Sequence, residues 1–213
     1  MKKIAILAAG EYPRKEYPVW LLEHADVVVC CDSAIAGLLR HGRDADVLIG
    51  DLDSVGGRSL ERTAAKVVHD SDQECNDLTK AFRYVLDNYP DVSDIHILGA
   101  TGKSEAHTVG NLSLLMQYEH DYKLSERGIK LEMVSDHSTA FAVQDSIELN
   151  VGEGRRMSFF TPDSSLRIVS SGLRWPLDEV VFDNWWKASL NIASEDVVRL
   201  RFNHPAMLLV ILD

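Results

Sequence analysis

The sequence predicts an α/β domain with a mainly parallel sheet, followed by an all-β, sandwich-like domain. Two observations carry this prediction. Short runs of Val and Ile alternate with helical patterns over residues 1–136, whereas residues 137–213 contain only short β-type runs between turn-forming residues. Apolar runs without polar alternation are typical of parallel strands that are covered on both faces, and strand–helix alternation indicates the α/β class.

Six strands are expected in the first domain: Ile4–Ala8, Asp26–Cys31, Val47–Ile49, Lys66–Val68, Asp94–Leu98 and Lys130–Val134. Two helices are expected between them. One covers about residues 76–89, where apolar residues recur at the helical period ahead of Pro90, and the other covers about residues 105–118. The second domain is expected to contain these strands: Ala140–Val143, Ser146–Leu149, Met157–Phe160, Leu166–Val169, Val197–Phe202 and Met207–Leu212.

The 213-residue chain carries 33 acidic and 22 basic side chains, a formal net charge of −11. A negative surface repels nucleic acid and anionic lipid, so neither is an expected partner. No apolar run approaches the ~20 residues that span a bilayer, and the run Ile4–Ala9 is too short for a secretory signal. Three cysteines, two of them adjacent, do not form a disulfide framework. The protein is therefore expected to be cytoplasmic.

Acidic residues follow three consecutive predicted strands, at the sheet edge where open α/β folds bind ligands. Asp32 follows the second strand, Asp51 and Asp53 follow the third, and Asp70 and Asp72 follow the fourth. Carboxylates gathered at one edge repel one another unless a cation lies between them. Mg²⁺ is the natural candidate because it combines one or two carboxylates with substrate phosphates.

These acidic residues also have ordinary structural explanations. Extended backbone at Asp51-x-Asp53 would place both carboxylates on one side, as a shared metal site needs, but the same pattern occurs in exposed turns. Asp77 and Lys80 open a predicted helix, where they suit a metal and a phosphate, or a helix cap with a surface ion pair. Residues 44–77 hold nine acidic and three basic side chains, which favours the metal interpretation.

The segment Gly99-Ala100-Thr101-Gly102-Lys103-Ser104 partly matches a phosphate-binding P-loop. That motif requires a glycine five positions before the Gly-Lys pair, where this chain has Ile97. The loop can still bind an anion through backbone N–H groups and the N-terminus of the next helix. His107, near that helix start, suits either a general base or a hydrogen-bonded structural group.

Together these motifs resemble the thiamine pyrophosphokinase family over nearly the whole chain. They are Cys31-Asp32, Ile49-Gly50-Asp51-Leu52-Asp53-Ser54, Asp72-Gln73-x-x-x-Asp77-Leu78-Thr79-Lys80, Leu98-Gly99-Ala100-x-Gly102 with His107-Thr108 and Asn111, and Ser171-Gly172-Leu173-x-Trp175-Pro176-Leu177. The order and spacing of the motifs carry the resemblance, since no single motif is decisive.

The resemblance implies an enzyme that transfers diphosphate from ATP to the hydroxyl of thiamine, giving thiamine diphosphate and AMP. It implies Mg²⁺ bound by Asp51, Asp53 and Asp77, with Lys80 assisting at the phosphates. It also implies a homodimer in which the β-domain helps to bind thiamine. The other substrate-binding residues that it implies are Asp32, Asp72, Gln73, Gly99, Gly102, Lys103, His107, Thr108, Asn111, Trp186, Ser189 and Asn191. Trp185 or Trp186 would face the thiazolium cation, unless both serve packing.

Several positions depart from the family's usual pattern. Ser33 replaces a glycine, Ser104 and Ala106 replace an arginine and an aspartate, and Leu190 replaces a serine. These replacements predict weaker nucleotide binding or slower turnover. Two other functions therefore stay open on the sequence: a family member that binds thiamine or a nucleotide without efficient transfer, and a Mg²⁺-dependent phosphohydrolase.

Overall fold

The computed structural model describes residues 1–53 and 57–213, so that Ser54 of the aspartate motif lies outside the described residues. Within these ranges, no helix is both long enough and apolar enough to cross a membrane. The three cysteines, Cys30, Cys31 and Cys75, are free thiols.

Contacts divide the chain into two units. The first comprises Met1–Asn111 and Ser125–Asp136, and the second comprises Leu112–Leu124 and His137–Asp213. The domain limits expected from the sequence, residues 1–136 and 137–213, stay a prediction.

The elements between Lys2 and Val134 alternate between strand and helix. In chain order they are β1 (Lys2–Leu7), α1 (Glu16–Glu23), β2 (Val27–Cys31), α2 (Ile35–Arg40), β3 (Val47–Gly50), α3 (Gly57–Arg62), β4 (Lys66–His69), α4 (Asp77–Asn88), β5 (Val92–Leu98), α5 (Glu105–Tyr122) and β6 (Lys130–Val134). All six predicted strands and both predicted helices are present. The short helices α1, α2 and α3 were not predicted, because 6–8 residues are too few to show a clear helical period.

The six strands are parallel and lie in the order β6-β5-β1-β2-β3-β4. The chain moves from β1 outward to β4, then returns to β5 on the other side of β1 and continues to β6. The strand order therefore reverses between β1 and β5. In open α/β sheets, ligands bind beside the carboxyl ends of the strands at such a reversal.

Both faces of the central strands are covered. Leu21 of α1 and Ile35 of α2 cluster with Leu7 and Leu48 of the sheet. On the opposite face of the sheet, strand residues such as Ile6 are fully buried. Helix α4 contacts β1, β2 and β3. The edge strand β4 is the exception, since its residues are largely exposed, and the expectation of burial on both faces is wrong there.

The second unit contains two antiparallel sheets. Its strands are β7 (Thr139–Val143), β8 (Ile147–Asn150), β9 (Arg156–Phe160), β10 (Ile168–Ser171), β11 (Asn191–Ile192), β12 (Val197–Phe202) and β13 (Leu208–Leu212). One sheet has the order β11-β9-β13-β7 and the other has the order β10-β12-β8. Phe159 and Val210 of the first sheet share a buried core with Ile168 and Leu200 of the second. The predicted fold class is confirmed in both parts of the chain.

Leu190 offers a test of backbone strain in the second unit. Its φ is 57°, in the left-handed region, and the residue is 67% exposed. Asn tolerates this conformation better than Leu, and little packing is lost at so exposed a position. We expect Leu190→Asn to raise the free energy of unfolding by up to about 1 kcal/mol, measured by urea denaturation. Leu190→Ala lacks the polar side chain that lets Asn hydrogen-bond to the local backbone in this conformation, so it should give no such gain. Equal stability of the two variants would contradict the prediction.

We expect the buried His96 to lower the free energy of unfolding in mild acid. It is buried on β5, with Nδ1 3.7 Å from Oε2 of Glu132 on β6. Burial lowers its pKa from 6.5, assisted by Lys130 and Lys3 and opposed by Glu132 and Asp94. The unfolded chain therefore takes up a proton that the folded chain resists, and the free energy of unfolding should fall as pH drops through about 6.5.

This decline can be measured by urea denaturation at a series of pH values between 7.5 and 5.5, taken as about one unit either side of the ordinary histidine pKa. We expect His96→Gln to show a smaller decline than the unchanged protein. His120→Gln is the matched control, because the His120 side chain is 67% exposed, and it should keep the full decline. Parallel curves for all three proteins would contradict the prediction.

Candidate active site

Asp32, Asp51 and Asp53 bring their carboxylates together at the carboxyl ends of β2 and β3. The two strands are parallel neighbours, so the segments that leave them start side by side. One oxygen of each carboxylate lies within 4.8 Å of the other two. Asp32 is buried, Asp51 is partly buried and Asp53 is exposed. This donor set fits a hard cation such as Mg²⁺, which prefers carboxylate oxygens and accepts substrate phosphates as further ligands.

Gly50 permits the close approach of Asp32. A Cβ at Gly50 would lie 2.6 Å from the Cβ of Asp32, nearer than two nonbonded carbon atoms can come. Any larger residue at the end of β3 would therefore displace the Asp32 side chain. The glycine of the Ile49-Gly50-Asp51 segment thus has a steric role.

The expectation of extended backbone across Asp51 and Asp53 is wrong at Leu52. Its φ is 64°, so the backbone between Asp51 and Asp53 is not extended. Instead, the N–H of Asp53 donates to Oδ1 of Asp51 at 3.3 Å, and this local turn draws the two side chains together. The Leu52 side chain packs against the buried cluster that contains Leu21 of α1 and Ile35 of α2, and this packing helps to offset the unfavourable left-handed backbone.

The cluster shifts the pKa values of the exposed Asp53 and the partly buried Asp51 in opposite directions. The charge of Asp51 is the main cause that raises the pKa of Asp53, and Asp77 adds to it. The pKa of Asp51 is lowered, first by the N–H of Asp53 and further by the amide of Gln73, whose Nε2 lies 3.4 Å from Asp51 Oδ2. A cation at this position would relieve the repulsion and favour the charged form of every carboxylate.

The start of α4 places a buried cation near the cluster. Asn76 caps this helix, since its Oδ1 accepts the N–H of Thr79 at 2.9 Å. Nζ of Lys80 lies 3.3 Å from Oδ1 of Asp77, and Lys80 is buried, so this is not a surface ion pair. Burial opposes the charge on Lys80, but Asp77 and other nearby carboxylates outweigh it and raise its pKa. Lys80 therefore stays protonated.

Asp72 has structural partners. Its Oδ1 accepts the N–H of Glu74 at 2.8 Å, which is the main cause that lowers the pKa of Asp72. Its Oδ2 lies 3.6 Å from Nη1 of Arg83. Asp72 thereby shapes the loop that carries Gln73, and its predicted contact with substrate stays a prediction.

The loop after β5 is held against the loop after β1. The N–H of Gly10 donates to the carbonyl of Gly99 at 2.5 Å, and Nζ of Lys103 donates to the carbonyl of Ala9 at 2.8 Å. Gly99 and Gly102 have φ of 62° and 96°, a conformation that glycine adopts without strain.

Polar residues of α5 hold the same loop from the other end. Asn111 donates to the carbonyl of Ala100 at 2.8 Å, and Thr108 donates to the carbonyl of Ser104 at 2.8 Å. The N–H of His107 donates to Oγ of Ser104 at 3.3 Å. The side chains of Ser104, Thr108 and Asn111 therefore anchor this loop and the start of α5.

A cavity of about 390 Å³ lies between this loop and the start of α4. We refer to it as the α4 cavity. Of the predicted site residues, Asp77, Lys103, His107 and Asn111 line it. Its remaining wall includes Ser33 and Thr101, together with residues that the sequence did not single out: Ala8, Ala9, Gly10 and Asn76. A glycine directly after an apolar strand, Gly10, was the available signal for the loop after β1.

The substrate-binding residues predicted in the β-domain, Trp186, Ser189 and Asn191, lie in the second unit. Asn191 is buried, and its side chain accepts the N–H of Trp175 at 3.2 Å and donates to the Trp175 carbonyl at 2.6 Å. Ser189 Oγ donates to the carbonyl of Trp186 at 2.7 Å. Trp186 is 69% exposed, and Trp185 contacts Phe160 edge-to-face. The ring of Trp186 is thus more exposed than that of Trp185. Asn191 holds the segment at Trp175 in place.

Comparison with known proteins supplies the family. The family model "Thiamin pyrophosphokinase, catalytic domain" matches residues 20–125. The fold is similar to that of thiamine pyrophosphokinase from Bacillus subtilis, at 21% identity and a TM-score of 0.77, covering 100% of this chain and 99% of that one. It is also similar to that of yeast thiamin pyrophosphokinase, at 17% identity and a TM-score of 0.74, covering 100% of this chain and 87% of that one. Thiamin pyrophosphokinase from Candida albicans is similar as well, at 13% identity and a TM-score of 0.77, covering 99% of this chain and 90% of that one.

No curated protein sequence matches this chain. The matched segment nevertheless contains the aspartate cluster, Lys80 and the loop after β5, and the whole chain has the fold of the solved structures. The chain belongs to the thiamin pyrophosphokinase family and contains its catalytic domain.

Proposed function

We propose that this protein is a thiamine diphosphokinase, which transfers the terminal diphosphate of ATP to the hydroxyl of thiamine and releases AMP. The carboxylate cluster of Asp32, Asp51 and Asp53 is the observation that carries this proposal. It lies next to the α4 cavity, since Cys31 and Ser33 on either side of Asp32 line that cavity. A site for a divalent cation beside a cavity of this size suits a nucleoside triphosphate.

Asp51, Asp53 and Asp77 are the proposed Mg²⁺ ligands, and Asp32 is within reach of the same ion. The donor chemistry of Asp51 and Asp53 fits, and the group of carboxylates within 4.8 Å of one another is completed by Asp32. Asp77 would reach the ion from the start of α4, where it lines the α4 cavity together with Cys31 and Ser33. Bound Mg²⁺ would offset negative charge on the phosphates during transfer. Lys80, held in its charged form by Asp77, adds a fixed positive charge beside the same phosphates.

The remaining predicted residues have proposed binding roles. Gln73, whose amide is oriented by Asp51, contacts thiamine. The exposed ring of Trp186 faces the thiazolium cation, with Ser189 and Asn191 shaping that surface. We further propose a cytoplasmic homodimer in which the β-unit contributes to thiamine binding.

The direct test is an incubation of the protein with thiamine, ATP and Mg²⁺, in which AMP and thiamine diphosphate are both measured. Equal amounts of the two products support diphosphate transfer. Orthophosphate released without thiamine would instead identify a phosphohydrolase.

A weakened family member is the second candidate, because Ser104 stands where the family usually has an arginine. In this chain Ser104 accepts the N–H of His107 and so caps α5. The hydroxyl brings no positive charge to the phosphates. Calorimetric binding of thiamine or ATP, together with no AMP above background, would favour this candidate.

Asp51→Asn should lower AMP formation by about 100-fold or more, because the change removes a proposed metal ligand and even outer-shell changes cost about 10–100-fold. The rate is measured with thiamine and ATP at saturating Mg²⁺. Asp91→Asn is the matched control, since Asp91 is a surface residue that pairs with Lys2. Activity of Asp51→Asn equal to that of the control would overturn the metal assignment.

Gly50→Ala should act through Asp32, since the added Cβ collides with the Asp32 side chain. We expect AMP formation to fall by about 10–100-fold and the Mg²⁺ concentration for half-maximal activity to rise. Gly57→Ala places a Cβ where no atom lies within 4 Å, and it should leave both values unchanged. If Gly50→Ala lowers the rate but leaves its Mg²⁺ dependence unaltered, the steric role of Gly50 at the metal site is wrong.

A further inference from the structure

A second cavity of about 390 Å³ lies within the first unit and shares one wall with the α4 cavity. The shared wall consists of Ala8, Ala9, Gly10, Ser33 and Lys103, and we refer to it as the ridge. The second cavity extends from the ridge toward α2, so we refer to it as the α2 cavity. None of the roles proposed above uses its outer wall, which is formed largely by Tyr12, Arg14, Gly37, Arg40 and His41.

A rigid aromatic pair forms part of that outer wall. The rings of Tyr12 and His41 are stacked, with centroids 4.0 Å apart and planes 3° from parallel. Nδ1 of His41 is 2.9 Å from the carbonyl of Gly37 and must donate to it, because a carbonyl only accepts. The ring of His41 is therefore fixed in orientation, and in the neutral ring Nε2 is left as an acceptor.

The charge of the α2 cavity is opposite to that of the whole chain. Arg14, Arg40 and Lys103 line it, against one acidic residue, Glu11, in a protein of net charge −11. Nε of Arg40 donates to the carbonyl of Ala36 at 3.1 Å, which anchors its guanidinium. A cationic ligand such as thiamine is disfavoured here, whereas a neutral base attached to a phosphate chain is favoured.

We propose that Tyr12 and His41 form the binding surface for the base of the nucleoside triphosphate, whose phosphates cross the ridge into the α4 cavity. The proposal rests on the nucleotide-dependent function proposed above and assigns the base to specific residues. Aromatic side chains bind bases by stacking, and arginine side chains donate to ring nitrogens and carbonyls of the base. Tyr12 and His41 are then specificity-determining residues, because they distinguish a nucleotide from a bare polyphosphate.

The test compares the binding of ATP with that of tripolyphosphate, both with Mg²⁺, by titration calorimetry. In Tyr12→Leu and His41→Ala we expect the dissociation constant for ATP to rise by about tenfold, as loss of base stacking predicts. The dissociation constant for tripolyphosphate should stay within about twofold, because the phosphates bind across the ridge. Tyr12→Phe retains the ring and should bind ATP as tightly as the unchanged protein does. The contrast with Tyr12→Leu separates base binding from a general effect on folding.

The chain offers a matched control in Trp20 and His24. These rings also stack, at 4.7 Å and 22°, and Nδ1 of His24 likewise lies 2.9 Å from the carbonyl four residues earlier. Neither residue lines the α2 cavity. His24→Ala should therefore leave the binding of both ligands unchanged, although it removes the same interactions at the end of a helix.

Three results would overturn the proposal. They are unchanged ATP binding in folded Tyr12→Leu and His41→Ala, an equal loss of ATP and tripolyphosphate binding in these variants, and wild-type protein that binds ATP no more tightly than tripolyphosphate. The second result would indicate an anion site instead. Failure of the proposed transfer reaction is a separate outcome, because absence of AMP formation leaves the comparison of the two binding constants intact.

Discussion

The arrangement of the site depends on how closely three like charges can be held at the end of a parallel sheet. The register of β2 and β3 pairs Cys31 with Ile49, so that Asp32 follows beside Gly50, one residue before Asp51, and the missing Cβ of Gly50 lets the Asp32 side chain come close. The turn at Leu52 then brings Asp53 back toward Asp51. Carboxylates at this spacing repel one another, so the fold maintains a site that gains stability when a cation binds.

The loops at this edge of the sheet carry acidic residues in one place and basic residues in another. The ends of β2, β3 and β4 carry the acidic residues, whereas Arg14, Arg40 and Lys103 line the cavity beside α2. A cation and a polyphosphate can therefore bind at adjacent positions, although the net charge is −11. Net charge excludes partners only when the charge is spread evenly over the surface, and here it is not.

Many polar motif residues hold the loops that form the site. Ser104, Thr108 and Asn111 fix the loop after β5, Asp72 shapes the loop before α4, and Asn191 anchors the segment at Trp175. Buried or partly buried backbone groups in such loops need partners, and these side chains provide them. A substitution at one of these positions changes loop geometry as well as any contact with substrate.

The sequence by itself determined the fold class, the six parallel strands, helices α4 and α5 and the strands of the second unit other than the two-residue β11, because apolar runs and helical periods report burial directly. It also located the acidic segment and the motifs of the family. It did not predict α1, α2 and α3, which are short, or the left-handed backbone at Leu52, where side-chain packing overrides local preference.

Only the tertiary structure decided which distant residues meet. Asp32 and Gly50 come together through strand register, Gly10 and Gly99 through contact between two loops, and Tyr12 and His41 through stacking across 28 intervening positions. None of these pairs has a fixed sequence spacing. Each depends on how strands and loops are placed in space, and that placement follows from burial of the whole core rather than from any local pattern.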